Sequence, residues 1–224
     1  FTHPDFALMC ARTGLRAGAR SWFYVSYDRC QSWAGPYRLP MFGQTGIAAR
    51  TDYLVNGPDE VLLFLTASKA NGEEGRVFCA RTTDGGKTFA LHGLVGPEPV
   101  GFEIMPASLR VSPSRLLVAV RVKSGTTEFT EAQHSIDLYA SDDNGATWQP
   151  FNRPVASTGK GGNPATLTRL QDGRLCLTYG YRATPVGMRA KLSSDDGATW
   201  GDEILLRTDG GNHFVDGQLH LAPL

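Results

Sequence analysis

Residues 141–148 read Ser-Asp-Asp-Asn-Gly-Ala-Thr-Trp, and close copies of this stretch recur along the chain. The copies are Thr-Thr-Asp-Gly-Gly-Lys-Thr-Phe at 82–89 and Ser-Ser-Asp-Asp-Gly-Ala-Thr-Trp at 193–200, with a degraded copy at 26–33. Their first residues lie at 26, 82, 141 and 193, so the spacings are 56, 59 and 52 residues. A repeat of this period predicts an array of similar structural units.

The residue types in the repeat are those of a tight turn between two strands. Asp143 can accept hydrogen bonds from nearby backbone N–H groups, and Gly145 tolerates a positive φ. The final Trp or Phe re-enters a strand, where its ring is expected to anchor each copy to its own sheet. In the degraded copy, Cys30 and Ser32 take the places of the glycine and the threonine. The repeat aspartates are Asp28, Asp84, Asp143 and Asp195, and the aromatic residues are Trp33, Phe89, Trp148 and Trp200.

Between these turns the chain consists of short runs rich in β-branched, aromatic and leucine residues, which are typical of strands. The runs cover 6–12, 21–26, 61–68, 77–82, 116–122, 136–141, 175–181 and 188–193. No long helical period appears, so the sequence predicts an all-β protein with negligible helix. Within each unit the order of strands and turns predicts a four-stranded antiparallel blade of a β-propeller.

Aligning the units gives the expected domain organisation, a single propeller domain over 1–224. Complete blades are expected at 46–99, 101–158 and 161–210, with partial blades at 1–41 and 211–224. A portion of a ring leaves apolar blade faces unpaired. The sequence therefore predicts a truncated chain that can self-associate through its terminal blades.

Composition excludes several classes of partner. The 22 basic and 22 acidic residues balance, so there is no general attraction to nucleic acid or to an anionic membrane. No apolar run reaches the ~18 residues of a membrane span. The four cysteines show no CxxC pair and no disulfide framework, and each lies in or beside an apolar run. They are interpreted as core thiols, and no metal or cofactor is expected.

The Ser/Thr-x-Asp-x-Gly-x-Thr-Trp/Phe pattern resembles the aspartate box, or bacterial neuraminidase repeat, of sialidases and related β-propellers. The resemblance extends through most of the chain. It implies a six-bladed ring, of which this sequence covers a little over half, with each box on the outer rim away from an active site at the axis. It also makes a secreted or periplasmic location plausible, although the chain contains no recognisable signal segment, and the location stays unknown.

By the same resemblance, three residues hold family positions. Glu103 begins an innermost strand and would be the base for a nucleophilic tyrosine in a retaining mechanism. Arg121 and Arg189 would be two of three arginines that bind the sialic acid carboxylate. The third arginine and the acid/base aspartate would precede Phe1. Residues 212–219, where the nucleophile is expected, contain no tyrosine, so the catalytic set is expected to be incomplete.

Further residues face the axis by the predicted register and are candidate sugar contacts: Arg50, Asp52, Asn163, Tyr181, Arg182, Asn212 and His213. Arg38-Leu39-Pro40 resembles the Arg-Ile-Pro signature of the family, but it follows a box, on the wrong strand, and is not assigned that role.

Two classes of function stay open. The first is an exo-glycosidase that releases terminal α-linked sialic acid or a related sugar from glycans. The second is a non-catalytic propeller that binds glycans or proteins on the same scaffold, since fold alone does not separate the two. A third reading, a hydrolase of plant polysaccharide, requires paired acidic residues, for which the sequence offers Asp52 and Glu103. In each case the expected ligand is a glycan or a small sugar.

Overall fold

The computed structural model describes residues 1–125, 133–159, 161 and 163–208, together with the backbone of two further strands at 212–215 and 218–221. Every regular element in this part of the chain is a β-strand, as the sequence predicts. It therefore contains no helix that could cross a membrane. The side chains of Asn212 and His213, predicted as sugar contacts, lie outside the described residues.

The strands form successive antiparallel sheets in which neighbours in sequence are neighbours in space. Sheet 1 has three strands: β1 (Ala7–Arg12), β2 (Ser21–Ser26) and β3 (Ala34–Arg38). Sheet 2 has four: β4 (Ile47–Val55), β5 (Val61–Ser68), β6 (Glu74–Thr82) and β7 (Ala90–Leu94). Such meanders bury both faces only when further sheets pack against them.

Two more four-stranded meanders and a pair of short strands complete the described chain. Sheet 3 has β8 (Phe102–Arg110), β9 (Leu116–Ser124), β10 (Gln133–Ser141) and β11 (Gln149–Val155). Sheet 4 has β12 (Ala165–Arg169), β13 (Leu175–Tyr181), β14 (Gly187–Ser193) and β15 (Ile204–Arg207). The last pair is β16 (Asn212–Val215) and β17 (Gln218–Leu221). The predicted all-β architecture of four-stranded antiparallel blades is confirmed.

The hydrophobic core lies between the sheets. One cluster joins sheets 1 and 2 through residues such as Phe23 and Phe78, and a second joins sheets 2 and 3 through Phe64 and Val118. A third cluster, which includes Leu177, joins sheets 3 and 4. Because each apolar face packs on the next sheet, the blades stack in sequence order.

Each repeat turn connects the last two strands of its sheet. In sheet 3, the Asp143 carboxylate accepts hydrogen bonds from Ser141 Oγ at 2.8 Å, from Thr147 N at 2.9 Å and from Thr147 Oγ1 at 2.6 Å. Asn144 and Gly145 both have positive φ, as the two central residues of a type I′ turn do. The same hydrogen bonds are made by Asp28, Asp84 and Asp195.

The aromatic residue that closes the repeat is held to its own turn, where Trp148 Nε1 donates to the Gly145 carbonyl at 2.9 Å, and it also packs across a blade junction, which the sequence did not predict. The Trp148 ring lies 5.9 Å from the Phe64 ring of sheet 2, and the Phe89 ring lies 5.3 Å from the Phe23 ring of sheet 1. Trp200 packs against the cluster between sheets 3 and 4, and Trp33 is half-buried. The repeat therefore stabilises each turn internally and joins neighbouring blades.

Candidate functional site

The candidate site is a cluster of four arginines, one from each sheet. Arg12 is the last residue of β1, Arg50 lies in β4, Arg121 lies in β9 and Arg182 directly follows β13. Burial is the main cause that lowers the pKa of Arg50 and of Arg121, and neighbouring guanidinium groups add to it: Arg12 acts on Arg50, and Arg182 and Arg50 act on Arg121. The succession of blades therefore brings guanidinium groups far apart in sequence to one place.

Arg121 is the most deeply placed of the four. Its Nη2 donates to the Gly161 carbonyl at 2.5 Å, and the guanidinium lies 5.0 Å from the centre of the Phe102 ring. Its Nη1 contacts Met105 Sδ at 3.6 Å, where positive φ marks an irregularity in β8. Burial, followed by the neighbouring arginines, lowers the pKa of Arg121 to about 10. An anion beside this guanidinium would favour its charged form.

Arg50 is paired with the carboxylate of the cluster. Its Nη1 lies 2.7 Å from Glu74 Oε1, and the two side chains are only 14% and 16% exposed. Burial lowers the pKa of Arg50, and burial raises that of Glu74 even though several arginines oppose that shift. The Glu74 carboxylate is therefore the counter-ion of several arginines at once. The cluster consequently carries an excess of positive charge.

Several polar atoms of the cluster are buried and lack a hydrogen-bond partner among the described residues. They include Nε of Arg50, Nε of Arg121, Nδ1 of His134 and Oε1 of Glu74, which faces Arg50 at 2.7 Å without hydrogen-bond geometry. The pKa of His134 is lowered, first by burial and then by Arg121, which favours the neutral imidazole. Buried donors without a partner are rare in folded proteins, because each carries an uncompensated loss of hydration. A ligand with acceptor oxygens would satisfy the two arginine Nε donors.

Gly161 and Gly180 shape the side of the cluster that belongs to the fourth blade. A side chain on Gly161 would meet Arg182, and one on Gly180 would overlap the amide of Asn163. Asn163 therefore lies against the β13 backbone close to Tyr181, and Arg182 lies beside the carbonyl that Arg121 contacts. Of the predicted sugar contacts, Arg50 and Arg182 thus lie with Arg121.

Arg189 belongs to a different group of side chains. Its guanidinium stacks 3.4 Å from the centre of the Tyr181 ring and pairs with Glu203, which also accepts the Tyr179 hydroxyl. Its Nη2 lies 3.4 Å from the Pro185 carbonyl. Contacts within sheet 4 and its loops thus account for Arg189 and Tyr181.

The side chains of Glu103 and Arg121 were expected to converge, but they project from opposite faces of sheet 3. Glu103 pairs with Val122 and Ile104 pairs with Arg121, and adjacent residues of a strand point to opposite sides. The Glu103 carboxylate accepts a hydrogen bond from Tyr139 at 2.8 Å, on the side that packs against sheet 2. Burial raises the pKa of Glu103. Glu103 and Arg121 therefore do not converge on one point as expected.

Asp52 ties two blades together. Its Oδ2 accepts hydrogen bonds from Ser108 N at 2.6 Å and Ser108 Oγ at 2.8 Å, and its Oδ1 accepts from Tyr53 N at 2.8 Å. Because Asp52 lies in β4 and Ser108 in β8, this carboxylate joins sheets 2 and 3. This structural role does not support a pairing of Asp52 with Glu103 for polysaccharide hydrolysis.

Comparison with known proteins rests on three-dimensional similarity, since neither a protein-family model nor a curated protein matches the sequence. A protein of unknown function from Dyadobacter fermentans is similar over 94% of this chain and 64% of its own, with a TM-score of 0.72 and 21% identity. The NanB sialidase from Streptococcus pneumoniae, in a mutant form, is similar over 87% of this chain and 30% of its own, with a TM-score of 0.63 and 16% identity.

A third similar structure is the GH93 α-L-arabinofuranosidase of Fusarium graminearum, in complex with arabinobiose. It matches 83% of this chain and 57% of its own, with a TM-score of 0.58 and 12% identity. The chain has the β-propeller fold. It spans less than two thirds of the length of each of these three propellers. At such identities the likeness establishes the fold, and function must be argued from the site itself.

Within the propeller, the sequence alone did not identify Arg12, Glu74 or His134 as parts of the site. A usable signal was present, because Arg121 and Arg182 lie at or near the end of the second strand of a blade, and Arg12 ends β1, which by its distance from the repeat turn corresponds to a second strand. Glu74 begins a third strand, where the resemblance assigns no role. No group of three or more histidine, cysteine, aspartate or glutamate residues in the described ranges is placed to hold a metal ion.

Proposed function

We propose that this propeller recognises a sugar that carries a carboxylate, and that it is the substrate-binding portion of a sialidase-like exo-glycosidase. Arg50, Arg121 and Arg182 bind the acidic group, and Glu74 holds Arg50 in place. The ligand class is a terminal α-linked sialic acid or a related acidic sugar. The fold similarity to a sialidase supports the proposal, and the arginine cluster supplies its chemical basis.

One observation carries the proposal: guanidinium groups from three blades share the Glu74 carboxylate, Arg182 of a fourth blade lies beside Arg121, and Nε of Arg50 and Nε of Arg121 remain unbonded. The planar guanidinium offers parallel N–H donors that match the two oxygens of a carboxylate. A bound carboxylate would supply both the missing acceptors and the missing negative charge. A neutral sugar would supply acceptors without the charge.

Glu74 explains how the cluster persists before a ligand binds. Its carboxylate offsets part of the repulsion among the arginines and orients Arg50 through the 2.7 Å pair. A site that is already oriented loses less conformational entropy when the ligand arrives. Glu74 is therefore a positioning residue in this proposal, and the arginines contact the sugar.

A second candidate function, glycan binding without catalysis, is favoured by the environment of Glu103. The tyrosine that bonds to this carboxylate is Tyr139, which is only 5% exposed and packs in the core between sheets 2 and 3. Burial raises the pKa of the Tyr139 phenol, which disfavours the phenolate that a nucleophile requires. Binding and hydrolysis must therefore be measured separately.

The test is calorimetric titration of the chain with N-acetylneuraminic acid, with lactose as a neutral sugar. We expect saturable binding of the acid, and a loss of about tenfold or more in Arg121→Lys, since an ammonium cannot reproduce bidentate geometry. Arg174→Lys is the matched control, because Arg174 pairs with Asp172 on an exposed turn. Equal affinity of the wild type and Arg121→Lys would refute the proposal. Release of 4-methylumbelliferone from its α-sialoside would separate hydrolysis from binding alone.

A further inference from the structure

The junctions between blades differ at the outer rim, and one of them is open. Three residues hold equivalent positions in the outer strands of their sheets: Tyr37, Gly93 and Asn152. Each of them pairs with the residue that lies three positions before the start of the repeat in its own sheet. Each faces the repeat turn of the next blade. What stands at this position therefore decides how closely two blades approach.

Two of the junctions are closed by direct contact. A side chain on Gly93 would overlap the carbonyls of Gly145 and Ala146, so the backbones of two blades touch there. Asn152 closes the next junction, since its Nδ2 donates to the carbonyls of Gly197 at 2.7 Å and Ala198 at 3.1 Å. A small residue or a hydrogen-bonding residue thus brings the outer strand onto the following turn.

Between sheets 1 and 2 the same position holds Tyr37, and the junction is a groove of about 1150 Å³. The Tyr37 ring packs on Phe23, 5.3 Å away, and is 47% exposed. Phe89 forms part of the floor, and Tyr27, 48% exposed, lies along the wall. A bulky ring therefore stands at this open junction, where the two closed junctions have Gly or Asn.

The charged residues that line this groove are both cations, Arg38 and Lys87. Within the described residues, neither side chain makes a hydrogen bond or an ion pair. Most ligand pockets combine aromatic walls with a few polar groups, and volumes of roughly 300–1,000 Å³ suit small ligands. This groove is large enough for more than one sugar ring. Its composition suits an anion with an apolar face.

We propose that this groove, lined by Phe23, Tyr27, Tyr37, Arg38, Lys87 and Phe89, is a second binding site, for an acidic saccharide. The C–H face of a pyranose ring stacks on the exposed tyrosine rings, and Lys87 and Arg38 bind the carboxylate. None of the four clustered arginines lines the groove, so the two sites are distinct. The choice of a saccharide over other organic anions rests on the proposed function. The existence of the groove and its positive charge are independent of that function.

The test is titration with 3′-sialyllactose, followed by calorimetry and by NMR shifts of groove residues. We expect two sites in the wild type. Arg121→Lys retains the groove site, and Tyr37→Gly, which reproduces the closed junction at Gly93, retains the arginine site. Lys87→Gln leaves the fold intact and weakens groove binding by about threefold to tenfold. Lys191→Gln, whose side chain does not line the groove, is the matched control.

Loss of all binding in Arg121→Lys would overturn the groove site. Persistence of both sites in Tyr37→Gly, unchanged affinity in Lys87→Gln, or equal affinity for lactose would overturn it as well. Benzoate is the probe for a simple aromatic anion, and stronger groove binding of benzoate than of sialyllactose would refute the saccharide assignment. Two sites that both survive Arg121→Lys would refute the proposed function and leave the groove site standing.

Discussion

Tyr139 donates a 2.8 Å hydrogen bond to the carboxylate of Glu103, and the tyrosine ring is buried between two blades. The hydrogen bond lowers the pKa of Glu103 while burial raises it, and burial has the larger effect. This pair therefore couples an ionisable group of an innermost strand to the packing of a blade junction.

Tyr139→Phe tests that coupling. We expect the pKa of Glu103 to rise further, because the substitution removes a bond that stabilises the ionised carboxylate. Folding stability should fall by about 1 kcal/mol. NMR titration of the Glu103 side chain gives the pKa, and urea unfolding gives the stability. Tyr24→Phe, in sheet 1, is the control, and an unchanged Glu103 pKa in Tyr139→Phe would show that the hydrogen bond is energetically unimportant.

The repeat aspartates predict destabilisation in acid. Hydrogen bonds from Thr147 and Ser141 lower the pKa of Asp143 to about 2, against an ordinary value of 3.8. Since the pKa is depressed in the folded state, the contribution of Asp143 is present above about pH 4 and is lost as the pH falls towards 2. Asp28, Asp84 and Asp195 have pKa values of about 2 as well.

Thermal melts between pH 5 and pH 2 measure this effect. We expect Asp143→Asn to be less stable than the wild type at pH 5 and the difference to narrow as the pH approaches 2. Asp59→Asn, an aspartate outside the repeats, should leave the pH profile unchanged. A gap between Asp143→Asn and the wild type that stays constant over the whole range would contradict the assignment.

The first repeat has a backbone conformation that its residues do not favour. Arg29 and Cys30 have φ values of 59° and 67°, where the other repeats have Gly86, Gly145 and Gly197 in the place of Cys30. A non-glycine residue in this region costs of order 1 kcal/mol. We therefore expect Cys30→Gly to be neutral or to stabilise the chain by up to about 1 kcal/mol.

The reverse change supplies the comparison. Gly145→Ala should destabilise the chain by about 1 kcal/mol or more, because φ is +92° there. The nearest atoms to an added Cβ are 3.4–3.5 Å away, so backbone strain and not steric overlap would cause the loss. Chemical denaturation measures both variants, and the prediction fails if Cys30→Gly is clearly destabilised.

The repeat at 141–148 and its copies were sufficient to predict the blades, because turn chemistry and strand pattern agree within each unit. Side-chain direction was harder to predict. Glu103 and Arg121 both lie near the axis end of sheet 3, yet the pairing of Arg121 with Ile104 places them on opposite faces. A shift of one residue in register reverses every side chain of a strand, and β8 contains an irregularity at Met105 that the sequence does not reveal.

The arginine cluster was only partly predictable for a related reason. Arg50, Arg121 and Arg182 were candidate contacts by their position near strand ends, whereas Arg12 and Glu74 join them through the stacking of blades. Stacking depends on which faces pack together, and a single sequence does not specify the distances between sheets. Tyr37 illustrates the same limit, since its effect on the rim becomes visible only beside Gly93 and Asn152.

A charge cluster assembled from four blades also links ligand binding to the integrity of the whole array. A bound anion would hold sheets 2, 3 and 4 together, because Arg50, Arg121 and Arg182 each come from a different one of them. The free energy of binding would then add to the resistance of both junctions at once, by RT ln(1 + [L]/Kd). Arg50 and Arg182 would lose their shared counter-ion together, and these three blades would separate as one cooperative unit.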